Sequence, residues 1–361
     1  MKKITCLEGI RAIACISIFC CHFTGAFIPY IQSVLVQTPL NIFFSGNKMV
    51  RVLFVLSGFV ISYKYFLGKS YDNIPTDMMK RYWRLMPSVL VINIIICLLM
   101  KLGLLYNIQA GQLSGSDNFL SIFNAMTPDW KACIIEGSWT CFFNGANGYN
   151  GPLWTMTYEF YGSLLILAIL YLSQKQPIIR TFFYFIFFIT FNSYYTYFVL
   201  GMLICEIFQS KQLNNYLKKN SIINNIVFFL SFYYISTINL NDTIKETRIL
   251  FAVGLILLFE TILNSSLLEK LLGNKFMTKM GGISYAVYLV HWPIIESFSS
   301  FLYIKLYDYN HLKVIPFIFL LSLILIILCG LFFHRYVEKL GNGVISYITK
   351  EMSGKEKRNN S

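Results

Sequence analysis

Arg11 and His22 lie within the first apolar segment of the chain, eleven positions apart. At about 100° per residue, eleven helical steps return to within about 20° of the starting direction, so both side chains project from one face, about 16 Å apart along the axis. A charged group at membrane depth costs at least about 2.5 kcal/mol on insertion scales. Two such residues on one face predict a polar path across the membrane, with a histidine able to act as a base near neutral pH.

The composition excludes an ordinary soluble globular protein. Hydrophobic residues make up 56% of the 361 positions and charged residues only 13%, whereas soluble domains contain about 25% charged residues. The formal net charge of +13 would suggest a nucleic-acid partner in a soluble protein. Here Lys and Arg cluster in alternate loops, as the positive-inside rule requires, so the charge indicates orientation in a membrane rather than nucleic-acid binding.

Ten apolar segments predict an all-α, polytopic membrane helical bundle. They span residues 7–28, 42–63, 86–106, 152–173, 178–191, 194–210, 221–238, 248–264, 281–303 and 313–333. The basic loops predict that both termini are cytoplasmic and that the 107–151 segment lies outside. Residues 178–210 admit one span or two, and two spans keep the following lysines in the cytoplasm. We expect a transmembrane domain over 1–340, a basic cytoplasmic tail over 341–361, and a bacterial inner membrane as the location.

The nine cysteines do not predict a metal site. Seven lie in or beside apolar segments without a CxxC pair, where they are expected to act as small packing residues. Cys133 and Cys141 share the outer segment, where an oxidising compartment permits a disulfide. The sequence leaves their free and bonded forms open.

Polar residues interrupt two further stretches near the second apolar segment. In RVLFVLSGFVIS, Arg51 lies at mid-membrane, and Ser57 precedes a glycine in a small pair suited to helix packing or to close approach of a ligand. In KRYWRLMP, Arg81 and Arg84 lie three positions apart. This fork is suited to phosphate oxygens at the cytoplasmic surface, and it would also serve as a membrane anchor.

Titratable side chains lie deeper in two later stretches. Glu159 is about seven residues below the outer surface in GPLWTMTYEFYGS, where a carboxylate needs a partner or a water-filled cavity. GGISYAVYLVHWPII places Ser284, Tyr285 and His291 within about two turns. Pro293 is expected to kink this helix just after the histidine. His291 has either a functional role or the purely structural one of forming a hydrogen bond to a neighbouring helix.

These stretches together resemble the motifs of the acyltransferase-3 family of multispanning membrane O-acyltransferases. The matching segments, in order, are LEGIRA through His22, LFVLSGF (53–59), KRYWRLMP (80–87), WTMTYE (154–159) and SYAVYLVH (284–291). Departures from the usual motifs are Glu8 for Asp, Leu53 for Phe, Lys80 for Arg, and Leu340 where a proline often follows Glu338-Lys339. The resemblance implies transfer of an acyl group, most often acetyl, from cytoplasmic acyl-CoA to a hydroxyl of a glycan or glycolipid. It implies no bound cofactor.

The resemblance and the predicted depths assign a role to each candidate. His22, Glu159 and His291 are the expected catalytic residues, with His22 removing the acceptor proton and one of the other two orienting it. The expected acyl-CoA-binding residues are Arg11, Arg81 and Arg84. The other site candidates are Arg51, Ser57, Ser284 and Tyr285. Arg51 would either polarise the thioester carbonyl or neutralise Glu159.

Two questions stay open at the level of sequence. Direct attack by the acceptor and a relay through an acylated His22 are both chemically allowed. A glycan or lipid transporter would also line its route with buried charges, although no repeat symmetry supports it. A second alternative is a membrane enzyme that uses a sugar-lipid donor rather than acyl-CoA.

Overall fold

The structure, a computed structural model, describes residues 4–190, 194–209, 221–240, 244–309 and 311–359. This part of the chain is helical and contains no strand. Its helices are α1 (Thr5–Phe27), α2 (Pro29–Leu35), α3 (Asn41–Phe44), α4 (Gly46–Phe66), α5 (Ile74–Lys101), α6 (Asn107–Ser114), α7 (Trp130–Ile135), α8 (Cys141–Phe143), α9 (Trp154–Ser173), α10 (Pro177–Ile189), α11 (Tyr195–Gln209), α12 (Ser221–Thr237), α13 (Lys245–Asn264), α14 (Ser266–Leu272), α15 (Lys275–Gly282), α16 (Ser284–Ile294), α17 (Ser300–Leu306) and α18 (His311–Asn359). Short 3₁₀ turns form at Tyr71–Asn73 and Gly151–Leu153, and π turns at Glu136–Thr140 and Ile295–Ser299.

Each predicted apolar segment coincides with one helix or with consecutive helices. Among the described residues, five helical stretches are long and apolar enough to cross a membrane: Thr5–Phe27, Gly46–Phe66, Tyr71–Lys101, Gly151–Ser173 and Lys313–Gly341. The pair α13 and α14, bent by 90°, would make a sixth if it forms one span. Helices α10, α11 and α12 are apolar but shorter than the about 20 residues that a straight span needs. The all-α prediction is confirmed, and the count of ten spans stays a prediction.

The ambiguous stretch 178–210 forms two helices. Residues 191–193 between them lie outside the described part of the chain. Arg180, in the first turn of α10, pairs at 2.6 Å with Glu206, near the end of α11. Since a contact between the start of one helix and the end of the next requires opposite directions, α10 and α11 are antiparallel.

The chain divides into two compact units. Unit 1 comprises Met1–Cys21, Tyr30–Ile74 and Tyr161–Ser284. Unit 2 comprises His22–Pro29, Pro75–Phe160 and Tyr285–Ser361. The backbone of α18 continues through position 341 to Asn359, and the division at that position into a membrane domain and a tail stays a prediction.

In unit 1, two glycines allow α4 and α11 to pack backbone against backbone. A Cβ atom added to Gly58 would lie 2.0 Å from the carbonyl oxygen of Phe198, and one added to Gly201 would lie 2.0 Å from that of Val55. Real Cβ atoms do not approach so closely. The glycine of the Ser57-Gly58 pair therefore serves helix packing, one of the two roles considered for it.

Replacing Gly58 with alanine is expected to destabilise unit 1. The added methyl group meets backbone rather than a flexible side chain, and overpacking of this kind costs about 1–3 kcal/mol or more. The measurement is the thermal unfolding midpoint of the protein purified in detergent. Gly282→Ala is the matched control, because nothing lies within 4 Å of the Cβ that it would add. Equal midpoints for the two variants would contradict the packing role.

In unit 2, the 107–151 segment is fastened to the ends of two helices. Ser114 and Ser116 donate hydrogen bonds of 2.7 and 2.8 Å to the carbonyl oxygen of Ala26 in the last turn of α1. Asn124 donates a 2.8 Å hydrogen bond to Glu296 in the π turn that follows Pro293. The segment between these anchors is thereby held against the helices that carry the two histidines.

Candidate active site

The end of α1 and the middle of α16 bring His22 and His291 into contact within unit 2. Nδ1 of His22 lies 2.8 Å from Nε2 of His291, although 269 positions separate the two residues. The rings are stacked, with centroids 5.1 Å apart. Nδ1 of His291 in turn lies 2.6 Å from the backbone oxygen of Tyr288. The two histidines predicted to be catalytic therefore form one hydrogen-bonded chain.

This chain of hydrogen bonds assigns the tautomer of each ring. A carbonyl oxygen only accepts, so Nδ1 of His291 carries the proton that it donates to Tyr288. Neither ring has a carboxylate among its described hydrogen-bond partners, and a buried unpaired charge is costly, so both are assigned as neutral. Nε2 of His291 then accepts from Nδ1–H of His22. The lone pair on Nε2 of His22 is consequently the one that can take a proton.

Aromatic rings surround the histidine pair. The indole of Trp292, which is fully buried, packs edge-on against His22 with centroids 5.1 Å apart. Phe119, from the 107–151 segment, lies 6.0 Å from His22 and 5.6 Å from Trp292. Phe123 also contacts Trp292 at 5.1 Å. Apolar rings thus cover part of the surface of His22, which is half-buried, and their low polarity strengthens electrostatic interactions beside it.

The start of α9 is attached to α16 beside the pair. The hydroxyl of Tyr288 donates to the backbone oxygen of Pro152 at 2.6 Å and lies 2.7 Å from the hydroxyl of Thr155. Glu159 follows Thr155 by one helical turn and is half-buried. The described hydrogen bonds of His22 and His291 do not include it. Of the two residues considered for orienting His22, the structure places His291 in contact with it.

Three other predicted site residues lie elsewhere in unit 2. Arg81 is half-buried on α5, and Arg84 is exposed one turn later. The hydroxyl of Tyr285 donates to the backbone oxygen of Leu85 at 3.3 Å, which joins α16 to the turn that carries these arginines. Arg84 therefore lies on the surface of the protein, and phosphate binding by the fork stays a prediction.

Arg11 and Ser284 belong to unit 1. Arg11 pairs with Glu8 one turn earlier at 3.4 Å, so part of its charge is balanced. The hydroxyl of Ser284 donates to the backbone oxygen of Gly281 at 2.8 Å, and the thiol of Cys15 donates to the backbone oxygen of Ser284 at 3.2 Å. The described contacts of Ser284 thus join α1 to the start of α16.

Arg51, also in unit 1, is buried among polar and aromatic partners. It donates to the backbone oxygen of Asn47 at 2.9 Å and to the side chain of the same residue. Its guanidinium lies 4.7 and 5.3 Å from the ring centroids of Tyr194 and Tyr197. These cation–π contacts offset the cost of a buried charge. Ser57 lies two turns further along α4 and is half-buried; the site roles of both residues stay predictions.

The described structure shows no disulfide between Cys133 and Cys141. Cys133 and Cys141 are both free and buried. Burial raises the pKa of the Cys133 thiol to about 12, so this thiol is not a reactive nucleophile near neutral pH. Among the described residues, no group of three or more His, Cys, Asp or Glu side chains could hold a metal ion.

The aromatic neighbours of His22 were not predicted from the sequence. Trp292 adjoins His291 in the sequence HWP, so its position beside the histidine gave a usable signal. Phe119 and Phe123 gave none, because nothing distinguishes them from the other phenylalanines among the 33 in the chain.

Five of the described helical stretches are long and apolar enough to cross a membrane, which fits a multi-pass membrane protein. The chain belongs to the acyltransferase-3 family, whose acyltransferase domain matches residues 4–334. The matched region is accordingly an acyltransferase domain, of the class that transfers groups other than aminoacyl groups. The resemblance inferred from the five motifs is confirmed.

Two curated relatives carry acyltransferase names. The chain is 25% identical over 179 residues to the acyltransferase MdmB of Streptomyces mycarofaciens. This alignment covers 49% of this chain and 42% of that protein. The chain is also 22% identical over 370 residues to the O-acetyltransferase PaAT-1 of Phomopsis amygdali, in an alignment that covers 81% of this chain and 72% of that protein. The alignment with MdmB thus spans less than half the length of that protein. No solved structure matches the chain.

Proposed function

We propose that this protein is a membrane O-acyltransferase that moves an acyl group, acetyl in the first instance, from cytoplasmic acyl-CoA to a hydroxyl of an extracytoplasmic or lipid-linked glycan. The observation that carries the proposal is the His22–His291 pair, which leaves Nε2 of His22 as an available base. The name of one relative, an O-acetyltransferase, supports acetyl as the group transferred. The family membership supports the reaction class.

In the direct mechanism, Nε2 of His22 removes the proton of the acceptor hydroxyl. The acceptor oxygen attacks the thioester carbonyl carbon, the carbon–sulfur bond breaks, and the new ester forms. The CoA thiolate leaves and takes the proton from His22, so the base is regenerated and no further reactant is required. His291 stays bonded to Nδ1 of His22 throughout and holds the ring in the reactive tautomer.

In the relayed mechanism, Nε2 of His22 attacks the carbonyl carbon of the thioester, the carbon–sulfur bond breaks, and the leaving CoA thiolate takes up the proton that the acylated ring gives up from Nδ1. The acceptor oxygen then attacks the acyl carbon, the carbon–nitrogen bond breaks, and the acceptor proton returns to the ring. The assigned tautomer presents the same lone pair for either path. Labelled acetyl-CoA supplied without acceptor separates them, because only the relayed path leaves label on the protein.

The decisive test of the function is turnover by purified protein in liposomes supplied with labelled acetyl-CoA and a glycan acceptor. Release of CoA together with labelled glycan is the expected result. A transporter would leave the thioester intact, and an enzyme with a sugar-lipid donor would not consume acetyl-CoA. Either outcome would overturn the proposal.

We further propose that Arg81 and Arg84 bind phosphates of acyl-CoA, with Arg11 contributing on the same face as His22. Replacing both Arg81 and Arg84 with glutamine is expected to raise the KM for acyl-CoA at least about tenfold, because each charge-assisted bond to phosphate is lost. The KM for the acceptor should change little. Lys101→Gln, at the opposite end of α5, is the matched control, and equal effects on both substrates would favour an anchoring role.

We propose that the chain crosses a bacterial inner membrane ten times, with both termini in the cytoplasm. In a cysteine-free background, Asn118→Cys in the outer segment is expected to react with an impermeant thiol reagent added to intact cells. Lys275→Cys, at the start of α15, is expected to react only after permeabilisation. Both positions are exposed, so access through the membrane decides the result. Labelling of Lys275→Cys from outside would require a different number of spans.

A further inference from the structure

A cavity of about 730 Å³ lies at one end of α4, α9, α10 and α11, wholly within unit 1. Its walls come from the turn after α4, the connection between α9 and α10, and the last turns of α11. The positive-inside rule assigns each of these connections to the cytoplasm. No residue of the histidine pair lines the cavity, and its volume falls in the range of about 300–1,000 Å³ that small-molecule sites occupy.

An ion pair forms the back wall of the cavity. Arg180, which is buried, donates through Nε and Nη2 to Oε1 of Glu206 at 3.1 and 2.6 Å, and through Nη1 to the backbone oxygen of Gln174 at 2.9 Å. Tyr184 donates to the other carboxylate oxygen of Glu206 at 2.6 Å. The negative charge of Glu206 is therefore balanced inside the wall, and it does not repel an anion in the cavity.

The remaining charges at the cavity are positive on balance. Lys69 and Lys175 contribute two ammonium groups. Asp72 contributes one carboxylate, which accepts a 2.7 Å hydrogen bond from Ser70. Lys175 is exposed at the rim, and its long flexible side chain can turn toward a bound group. A cavity with this balance attracts an anion from the cytoplasm.

The lining also offers flat and amide surfaces beside the charges. The half-buried ring of Tyr71 stacks on Tyr65 with centroids 5.8 Å apart, and Phe66 lies under the Arg180 guanidinium at 5.2 Å. Gln174 and Gln209 complete the wall with amides that both donate and accept hydrogen bonds. The space is larger than an inorganic anion alone would fill, and the aromatic and amide wall is suited to an organic part of a ligand.

We propose that this cavity is a binding site for a phosphorylated organic ligand at the cytoplasmic face, in addition to the arginine fork of α5. Two sources share that chemistry: a nucleotide, such as the adenosine bisphosphate part of acyl-CoA, and the headgroup of an anionic phospholipid. Lys69 and Lys175 contact the phosphate, and the aromatic and amide wall contacts the rest of the ligand. The site does not depend on the proposed transfer reaction, because binding is measured without turnover.

The nucleotide arm of the test measures the dissociation constant of adenosine 3′,5′-bisphosphate for the purified full chain in detergent. Lys69→Gln/Lys175→Gln is expected to weaken binding at least about tenfold, and the affinity of the parent chain should fall as salt rises. Lys175→Gln alone is a second variant, because no described hydrogen bond depends on this exposed side chain. The control is Lys270→Gln, because Lys270 is an exposed lysine of α14 that lies outside the cavity.

The lipid arm compares thermal unfolding midpoints in nanodiscs of phosphatidylcholine with and without phosphatidylglycerol. A stabilisation by phosphatidylglycerol that the double variant loses and Lys270→Gln keeps identifies a lipid headgroup as the ligand. Lysine-dependent nucleotide binding identifies a nucleotide. If both cavity variants behave as Lys270→Gln does in both arms, the cavity does not bind phosphate and the proposal is wrong.

Discussion

Replacing His22 with alanine is expected to abolish acyl transfer while the protein still folds and inserts. General-base catalysis contributes about 10²–10⁴-fold to a rate, and this change removes the ring nitrogen whose lone pair is not used in the contact with His291. Removing a polar side chain from a membrane segment lowers the cost of insertion. The measurement is acyl transfer from labelled acetyl-CoA at matched amounts of membrane-inserted protein.

The matched control for this variant is His334→Ala. His334 also belongs to unit 2, but it pairs with Glu338 on α18 at 2.7 Å, and its side chain is 44% exposed. Its loss should leave the transfer rate within about twofold, because a surface ion pair contributes little. Normal transfer by His22→Ala would eliminate His22 both as the base and as a covalent acyl carrier.

The sequence predicted the helices well because their signal is local. Long apolar runs identify spans such as Thr5–Phe27 and Gly46–Phe66, and the structure has helices there. The short helices of the 107–151 segment carry no such signal. Ser114 and Ser116 fasten this segment to α1 through a backbone oxygen, and no periodicity in the sequence indicates which carbonyl a distant serine will reach.

The sequence identified the polar residues of the membrane interior but not their partners. Arg51 was recognisable by its insertion cost, whereas its contacts with Tyr194 and Tyr197 depend on the packing of α4 against α11. That packing rests on two glycines about 140 positions apart in the chain, each opposite a backbone oxygen. Pairing over such a distance is a property of the tertiary fold, and local pattern does not contain it.

The contact between the two histidines also could not be predicted from local sequence pattern. Spacing placed Arg11 and His22 on one face of one helix, but only the family resemblance suggested that His291 belongs to the same site. The structure adds the direct hydrogen bond between the rings and the carbonyl of Tyr288 that assigns their tautomers. In this arrangement the proposed base is His22, and His291 is the residue proposed to position it.

Replacing His291 with alanine is expected to lower kcat without changing the KM for acyl-CoA. The change removes the acceptor of the Nδ1–H group of His22, so the ring is free to rotate and to protonate Nε2 instead. Loss of an orienting partner costs about 10–100-fold in comparable metal sites, and a wrong histidine tautomer costs up to about 10⁴-fold in a serine protease. We expect a loss of kcat within that range, measured by acetyl transfer at saturating acyl-CoA.

His291→Gln separates positioning from simple packing. The amide oxygen of glutamine can accept the Nδ1–H of His22 in place of Nε2 of His291, so this variant should recover a large part of the kcat that alanine loses. A residue that only fills space would give the reverse relation, in which kcat follows the thermal unfolding midpoint of each variant. If His291→Gln is as inactive as His291→Ala at equal stability, His291 does more than fix the tautomer, and a direct part in proton transfer would have to replace the positioning role.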